Sequence, residues 1–109
     1  VIKAECISKG KRHLMSVEGH SGFARKGSDI VCAGVSALCA SLAAGLERLE
    51  ERGKISAFEY RISSGCFFCV FKDGEEGCGN GLFESACLGL VMISDAYPGY
   101  VGISEYVSP

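Results

Sequence analysis

The chain has 109 residues, a formal net charge of −2 and seven cysteines. A chain of this length makes one domain and buries roughly 60% or more of its unfolded surface, enough for a core without disulfide staples. The mild negative charge argues against general affinity for nucleic acid and leans toward a basic protein or peptide as partner.

The odd cysteine count comes with no secretory signal pattern and no apolar run long enough to span a membrane, and so predicts free thiols in a reducing cytosol. Cys6, Cys39, Cys69 and Cys87 stand among apolar neighbours, where a free cysteine behaves as a small hydrophobe. No repeat, low-complexity tract or linker interrupts the chain, so residues 1–109 read as a single domain.

In chain order, residues 1–7 and 12–18 favour strand, and Ser8, Lys9, Gly10 and Lys11 between them supply a hairpin turn. In the second run His13, Met15 and Val17 alternate with Leu14, Ser16 and Glu18, the period of a half-exposed strand. His13 reads as a surface or strand-face histidine without a chemical role.

A helix is predicted over 30–51. Val31, Val35, Leu38, Leu42, Leu46 and Leu49 form an aliphatic stripe that must lie on a sheet. Ala33, Gly34, Ala37, Ala40 and Ala44 form a small-residue face suited to close approach by another backbone, from this chain or a second copy. A third face carries Asp29, Cys32, Ser36 and Cys39. Gly53 is a good stop signal. Residues 55–63 and 66–72 read as a second hairpin around Ser64 and Gly65, with Phe58, Tyr60 and Ile62 on one face. An acidic, glycine-rich loop over 73–81 precedes a second helix over 82–96, ended by Pro98 and Gly99. A last strand is predicted over 100–107. The outcome is a small α+β domain of about five mostly antiparallel strands and two helices, in the order ββαββαβ. Two helices with so little polar surface cover more than one small sheet can bury, which predicts a homodimer with helical surface in the contact.

The chemistry concentrates in residues 19–38, GHSGFARKGSDIVCAGVSAL. Gly19, Gly22 and Gly27, with Arg25, Lys26 and Ser28 among them, describe a mobile connection, and Phe23 is its one large apolar side chain. The connection joins His20, a candidate base, to Cys32, a candidate nucleophile in the first turn of the helix. A helix N-terminus favours the thiolate, because its unpaired N–H groups and the positive end of the dipole stabilise the negative sulfur. Ser28 or Asp29 is the N-cap. A carboxylate so close opposes the thiolate unless its charge is engaged by His20 or by the backbone. Ser36, one turn after Cys32, places a hydroxyl beside the site. The plainer alternative is a mixed helix face with Asp29 capping, Ser36 bonded back to a carbonyl and both cysteines buried.

Cys66 and Cys69 have the CxxC spacing of a metal or redox pair, and Cys78 and Cys87 are available to join them. Residues three apart on a strand point to opposite faces, however, and Phe67, Phe68, Val70 and Phe71 make this segment a strand. No metal or cofactor is expected. A further alternative is a non-enzymatic, dimeric, ribosome-associated protein whose His20 loop binds a peptide.

Gly19, His20, Phe23, Ala24, Gly27, Asp29, Ile30, Val31, Cys32, Ala33 and Ser36 together resemble the signature of the Prp, or YsxB-like, family of ribosomal-processing cysteine proteases. The match covers about a fifth of the chain closely, and the segment from Tyr97 to Ile103 is also similar. Gly34 departs from the pattern, where a second alanine is common after the Cys-Ala pair, and Cys66, Cys69 and Cys78 lie outside it. The resemblance implies an α+β homodimer that trims an N-terminal extension from the large-subunit ribosomal protein L-twenty-seven, cutting after an aromatic pair. It further implies Cys32 as nucleophile, His20 as general base and acid, Asp29 and Ser36 as supporting residues, and no membrane or direct nucleic-acid partner.

Overall fold

The computed structural model describes residues 1–108; Pro109 lies outside them. Its elements are β1 (Ile2–Lys9), β2 (Arg12–Glu18), α1 (Ile30–Glu51), β3 (Ile55–Ser63), β4 (Cys66–Asp73), α2 (Cys78–Ala96) and β5 (Val101–Ser108). They build one sheet in the order β3-β4-β2-β1-β5. Every neighbouring pair is antiparallel except β1 with β5, where the chain returns through α2 to run parallel beside its own first strand.

The hairpins form where glycines permit the turn. Lys9 pairs with Arg12, so the β1–β2 turn is Gly10-Lys11 alone, and Gly10 takes the positive φ (+58°) that a tight turn of this kind needs at its first position. In β2 the alternation is as read: His13, Met15 and Val17 are buried, while Leu14 and Ser16 are half-buried. His13 is no surface residue. It is 5% exposed, with Nδ1 2.7 Å from Ser8 Oγ and its ring stacked on Phe71 and tilted against Phe83. Period two put it on the inner face, and two aromatic rings then closed over it.

Both helices lie on one face of the sheet. The stripe of α1 that meets the strands is Val31, Val35, Cys39, Leu42, Ala43 and Leu46. Leu38, predicted in that stripe, instead reaches α2, where a Cβ on Gly89 would stand 2.8 Å from it. Gly45 receives Leu82 in the same way, and Gly34 faces Ile93 at 3.2 Å. The helices therefore interlock glycine against bulky side chain, which explains the departure at Gly34. Ala33, Ala37, Ala40 and Ala44 stay exposed. By length and composition α1 is apolar enough to cross a membrane, contrary to the expectation above; in this fold its apolar stripe is the cover of the sheet.

The second helix starts at Cys78, four residues before the predicted start at Leu82. The cause is Asp73, the buried last residue of β4. Its carboxylate accepts 2.9 Å hydrogen bonds from the N–H groups of Gly74, Gly79 and Asn80, satisfying donors that a first turn otherwise leaves open. Gly79 is required there, because a Cβ would lie 2.6 Å from Phe71 and 2.8 Å from Asp73.

Candidate active site

The thiol end of the molecule is built around the N-cap of α1. Asp29 has extended backbone (φ −86°, ψ 100°), and its Oδ1 accepts from the N–H of Cys32 at 2.9 Å. Cys32 is thus the third residue of the helix, held at the turn where the cap acts. The other carboxylate oxygen, Oδ2, accepts from the Ser21 hydroxyl and from the N–H of Ala24 at 3.3 Å. The Ser21 hydroxyl first, then the two backbone N–H groups of Cys32 and Ala24, hold the Asp29 carboxyl down at about 2 against the opposing effect of burial. Its charge is engaged by Ser21 and by the backbone, and not by His20.

Ser21 is the residue that the sequence left unremarked. It is 3% exposed. Its N–H donates to Cys32 Sγ at 3.3 Å, while its hydroxyl both donates to Asp29 and accepts from the N–H of Phe23 at 3.1 Å. One serine thus ties the loop to the cap and places a backbone donor on the sulfur. Its position directly after His20 in a Gly-His-Ser-Gly run was the available signal; the hydroxyl's partner nine positions from the histidine was not.

Phe23 does pack down. Its ring meets Tyr97 and Tyr100 edge-on, with centroids 5.3 and 5.2 Å apart, so the loop rests on the connection between α2 and β5. Gly19, Gly22 and Gly27 all have positive φ (+102°, +73° and +92°), which is what lets the loop double back.

His20 is exposed and stands over the β3–β4 turn. A Cβ on Gly65 would come within 2.7 Å of His20 Nε2, and Gly65 has positive φ (+71°), so glycine serves both the turn and the close approach of the imidazole. The Gly19 N–H donates to the Gly65 carbonyl at 2.9 Å and fixes this approach. His20, Asp29, Cys32 and Ser36 line a single groove of about 590 Å3, with Ile62 and Gly65 on its far wall. Among the described residues no hydrogen bond joins His20 to Cys32 in this arrangement. Ser36 is exposed in the groove, one turn beyond Cys32. Tyr60 and Ile62 leave 43% and 53% of their surface open on β3, and Ile62 lines the groove that holds the thiol.

The other cysteines differ from Cys32 in placement. Burial pushes the Cys39 thiol up to about 11 and the Cys69 thiol up to about 12. Cys39, grouped with Cys32 by helical spacing, belongs to the sheet-facing core. Cys66 pairs with Glu18 and Cys69 with Met15, so the CxxC residues stand on opposite faces of β4. Cys78 opens α2 and Cys87 is buried in it. All seven thiols are free. Cys32 and Cys66, both partly exposed, share the groove of His20, and of the two only Cys32 lies in the first turn of a helix; a thiol so placed beside an imidazole in an open groove has the composition of a thiol acyl-transfer site.

Comparison with known proteins gives the same direction. The family model for cysteine protease Prp matches residues 1–102. No curated protein sequence matches the chain. Among solved structures, the fold is similar to the essential ribosomal processing protease Prp of S. aureus bound to a covalently linked product peptide, with TM-score 0.78 at 18% identity over 96% of this chain and 99% of that one. The same S. aureus protease in complex with a substrate peptide aligns with TM-score 0.69 at 14% identity over the same shares of the two chains. SMU.848 from Streptococcus mutans aligns with TM-score 0.70 at 23% identity, over 99% of this chain and 96% of that one. A thiol capped into the first turn of α1, a histidine in the same groove and a family match over nearly the whole chain lead to one conclusion: this chain belongs to the Prp family of cysteine proteases.

Proposed function

We propose that the chain is an endopeptidase that removes an N-terminal extension from the large-subunit ribosomal protein L-twenty-seven, cleaving after an aromatic pair, with Cys32 as nucleophile and His20 as general base and acid. The observation that carries this reading is Cys32 itself, a half-buried thiol at the start of α1 in a groove shared with His20. Cys32 attacks the peptide carbonyl and forms an acyl-enzyme. His20 protonates the leaving amine and then takes a proton from water, which releases the extension.

Oxyanion stabilisation needs N–H groups that are not already engaged. The N–H of Cys32 is held by Asp29, whereas the Ser21 N–H, which bonds the sulfur at rest, comes free for the developing charge once the sulfur bonds the carbonyl carbon. Asp29 and Ser21 act as positioning residues and Ser36 borders the groove. His20 moves from its seat on Gly65 toward Cys32 when a peptide enters, with Phe23 leaving Tyr97 and Tyr100 to cover it. The exposed Tyr60 and Ile62 offer apolar surface to the aromatic pair. Exposed Leu82, Leu88 and Met92 on α2 support a homodimer through helical surface. The reading places the enzyme in the cytoplasm, with a basic ribosomal protein as partner and no membrane or nucleic acid in the reaction.

Mass spectrometry of a precursor peptide carrying the extension tests this. Cleavage after the aromatic pair is expected with the parent protein and not with Cys32→Ala. An intact peptide after prolonged incubation, or cleavage elsewhere, refutes the substrate assignment.

A further inference from the structure

The helices occupy one face of the sheet, and on the other face strand register sets the side chains out in rows. One row crosses four adjacent strands as Val70, Leu14, Ile7 and Tyr106, from β4 through β2 and β1 to β5. The first three are half-buried and Tyr106 is 60% exposed. A sheet face turned to water ordinarily carries polar side chains, so four apolar ones in file are a feature that the fold of a single chain does not use.

The next row toward the β1–β2 turn is basic. Lys72, Arg12 and Lys9 stand side by side on β4, β2 and β1, with Ser56 and Ser108 at the two edges. All three cations are exposed, and none has an ion-pair partner among the described residues. Lys11, in the turn itself, is paired with Glu75 and adds nothing to the row. Like charges directly opposite one another on paired strands are destabilising. In a chain of net charge −2, three such cations in file mark a place for negative charge from outside.

The negative charge that fits is confined to one flank of its carrier. Glu59 ends the apolar row, and Glu5 and Glu18 stand on the same face beyond it, opposite Ser16 and Cys66. A nucleic-acid strand or an anionic lipid surface, negative throughout, would meet those carboxylates. A carrier with an acidic side and an apolar side avoids them. Neighbouring strands are about 4.8 Å apart, which sets the interval between the cations. Carboxylates three or four residues apart on a helix are about 4.5 to 6 Å apart along its axis, whereas the same-side residues of an extended peptide are about 6.8 Å apart. The basic and apolar rows lie two residues apart along the strands, about 6.8 Å, within the width of one helix of about 10 Å.

We propose that this face of the sheet docks an amphipathic helix of a partner protein, laid across the strands with its apolar stripe on Val70, Leu14, Ile7 and Tyr106 and its acidic flank on Lys72, Arg12 and Lys9. The surface is on the other side of the sheet from α1, which carries Cys32, and from the exposed residues of α2. Docking there leaves the protease groove open and does not depend on the reaction assigned to it.

An NMR titration of the full chain tests the proposal, with a helical alanine-based peptide of about 18 residues carrying leucines along one stripe and glutamates three and four residues apart beside it. The same peptide with lysine for glutamate is the charge-reversed probe. The glutamate peptide is expected to shift the amides of residues 7–14 and 68–72 in a saturable way, to leave residues 19–36 unmoved, and to bind more weakly as salt is raised. Lys9→Gln, Arg12→Gln and Lys72→Gln combined, all at exposed positions, are expected to weaken binding about tenfold or more, and Tyr106→Thr several-fold, with unfolding midpoints close to the parent's. No saturable shift on these strands at millimolar peptide, equal binding of the lysine peptide, or unchanged affinity in the triple variant overturns the proposal. So does a single-stranded RNA oligomer or a phosphatidylserine vesicle that shifts these amides where the glutamate peptide does not, or a dimer of the chain in light scattering that the triple variant abolishes.

Discussion

Both ends of the molecule start a helix with an aspartate, and they use it differently. At one end Asp29 caps α1 from the adjoining position and gathers the Ser21 hydroxyl and two backbone N–H groups around a half-exposed thiol. At the other end Asp73 reaches from the end of a strand into the start of α2, is 7% exposed, and lies beside a histidine sealed between two phenylalanines. The first arrangement leaves a loop, an imidazole and a sulfur in contact with solvent. The second closes into the core. A carboxylate cap is thus a structural device in both places, and what makes the first of them a site is the half-exposed thiol that shares its groove with an exposed imidazole.

The largest effect that separates the two ends is on chemistry. Cys32→Ala is expected to abolish peptide hydrolysis while leaving the thermal unfolding transition close to that of the parent, since alanine suits a helix and the thiol is half-exposed. His20→Ala is expected to lower turnover by about 10²- to 10⁴-fold, read from steady-state rates on the precursor peptide, again with little change in stability. If either variant cleaves at the parental rate, the groove does not work as assigned.

Stability separates the ends in the opposite sense. Asp73→Ala strips three backbone donors of their acceptor and is expected to destabilise the fold by about 3 kcal/mol in denaturant unfolding, enough to matter for a domain of this size. Asp29→Ala is expected to cost less stability and more activity, with faster hydrogen exchange confined to residues 19–28. An equal loss of stability from the two substitutions contradicts the distinction drawn between them.

The two ends also differ in their response to acid. The His13 pKa is lowered below its ordinary 6.5, so the unfolded chain takes up the proton first; stability is full above that value and declines as pH falls below it toward the folded-state value. The Asp29 pKa lies near 2, below the ordinary 3.8, so its contribution is full above 3.8 and is lost only as pH falls toward 2. Denaturation midpoints measured from pH 7 to 5 are therefore expected to fall in the parent and to fall less in His13→Gln. Smallest of all, Ser21→Ala is expected to reduce turnover moderately and to leave the unfolding midpoint almost unchanged.

Much of this was legible in the sequence because the signals were local. Both hairpin turns carry glycine where positive φ is needed, α1 has a capping residue and a terminating Gly53, and the alternation of His13, Met15 and Val17 marks the inner face of β2. Asp29, Cys32 and Ser36 fall in one groove as their helical spacing suggested, and His20, whose distance along the chain only permitted it, lines the same groove. What escaped was non-local. The start of α2 depends on Asp73, five residues before the helix, and glycines that look like loop are there because Phe71 and Asp73 leave no room for a side chain. The strand face of His13 was legible but its enclosure was not, because Phe83 arrives from seventy residues away. The seat of His20 on Gly65 and the parallel pairing of β1 with β5 likewise need distant chain.

The assignment of Cys32 as the working thiol is tested most directly by limiting iodoacetamide at neutral pH, with the label at each cysteine followed over time by peptide mass spectrometry. Cys66 and Cys78, which are also only partly buried, provide the internal comparison. Cys32 is expected to be labelled first and well ahead of both, and more slowly in Ser21→Ala. Labelling of Cys32 no faster than Cys66 and Cys78 contradicts the assignment of Cys32 as the activated nucleophile.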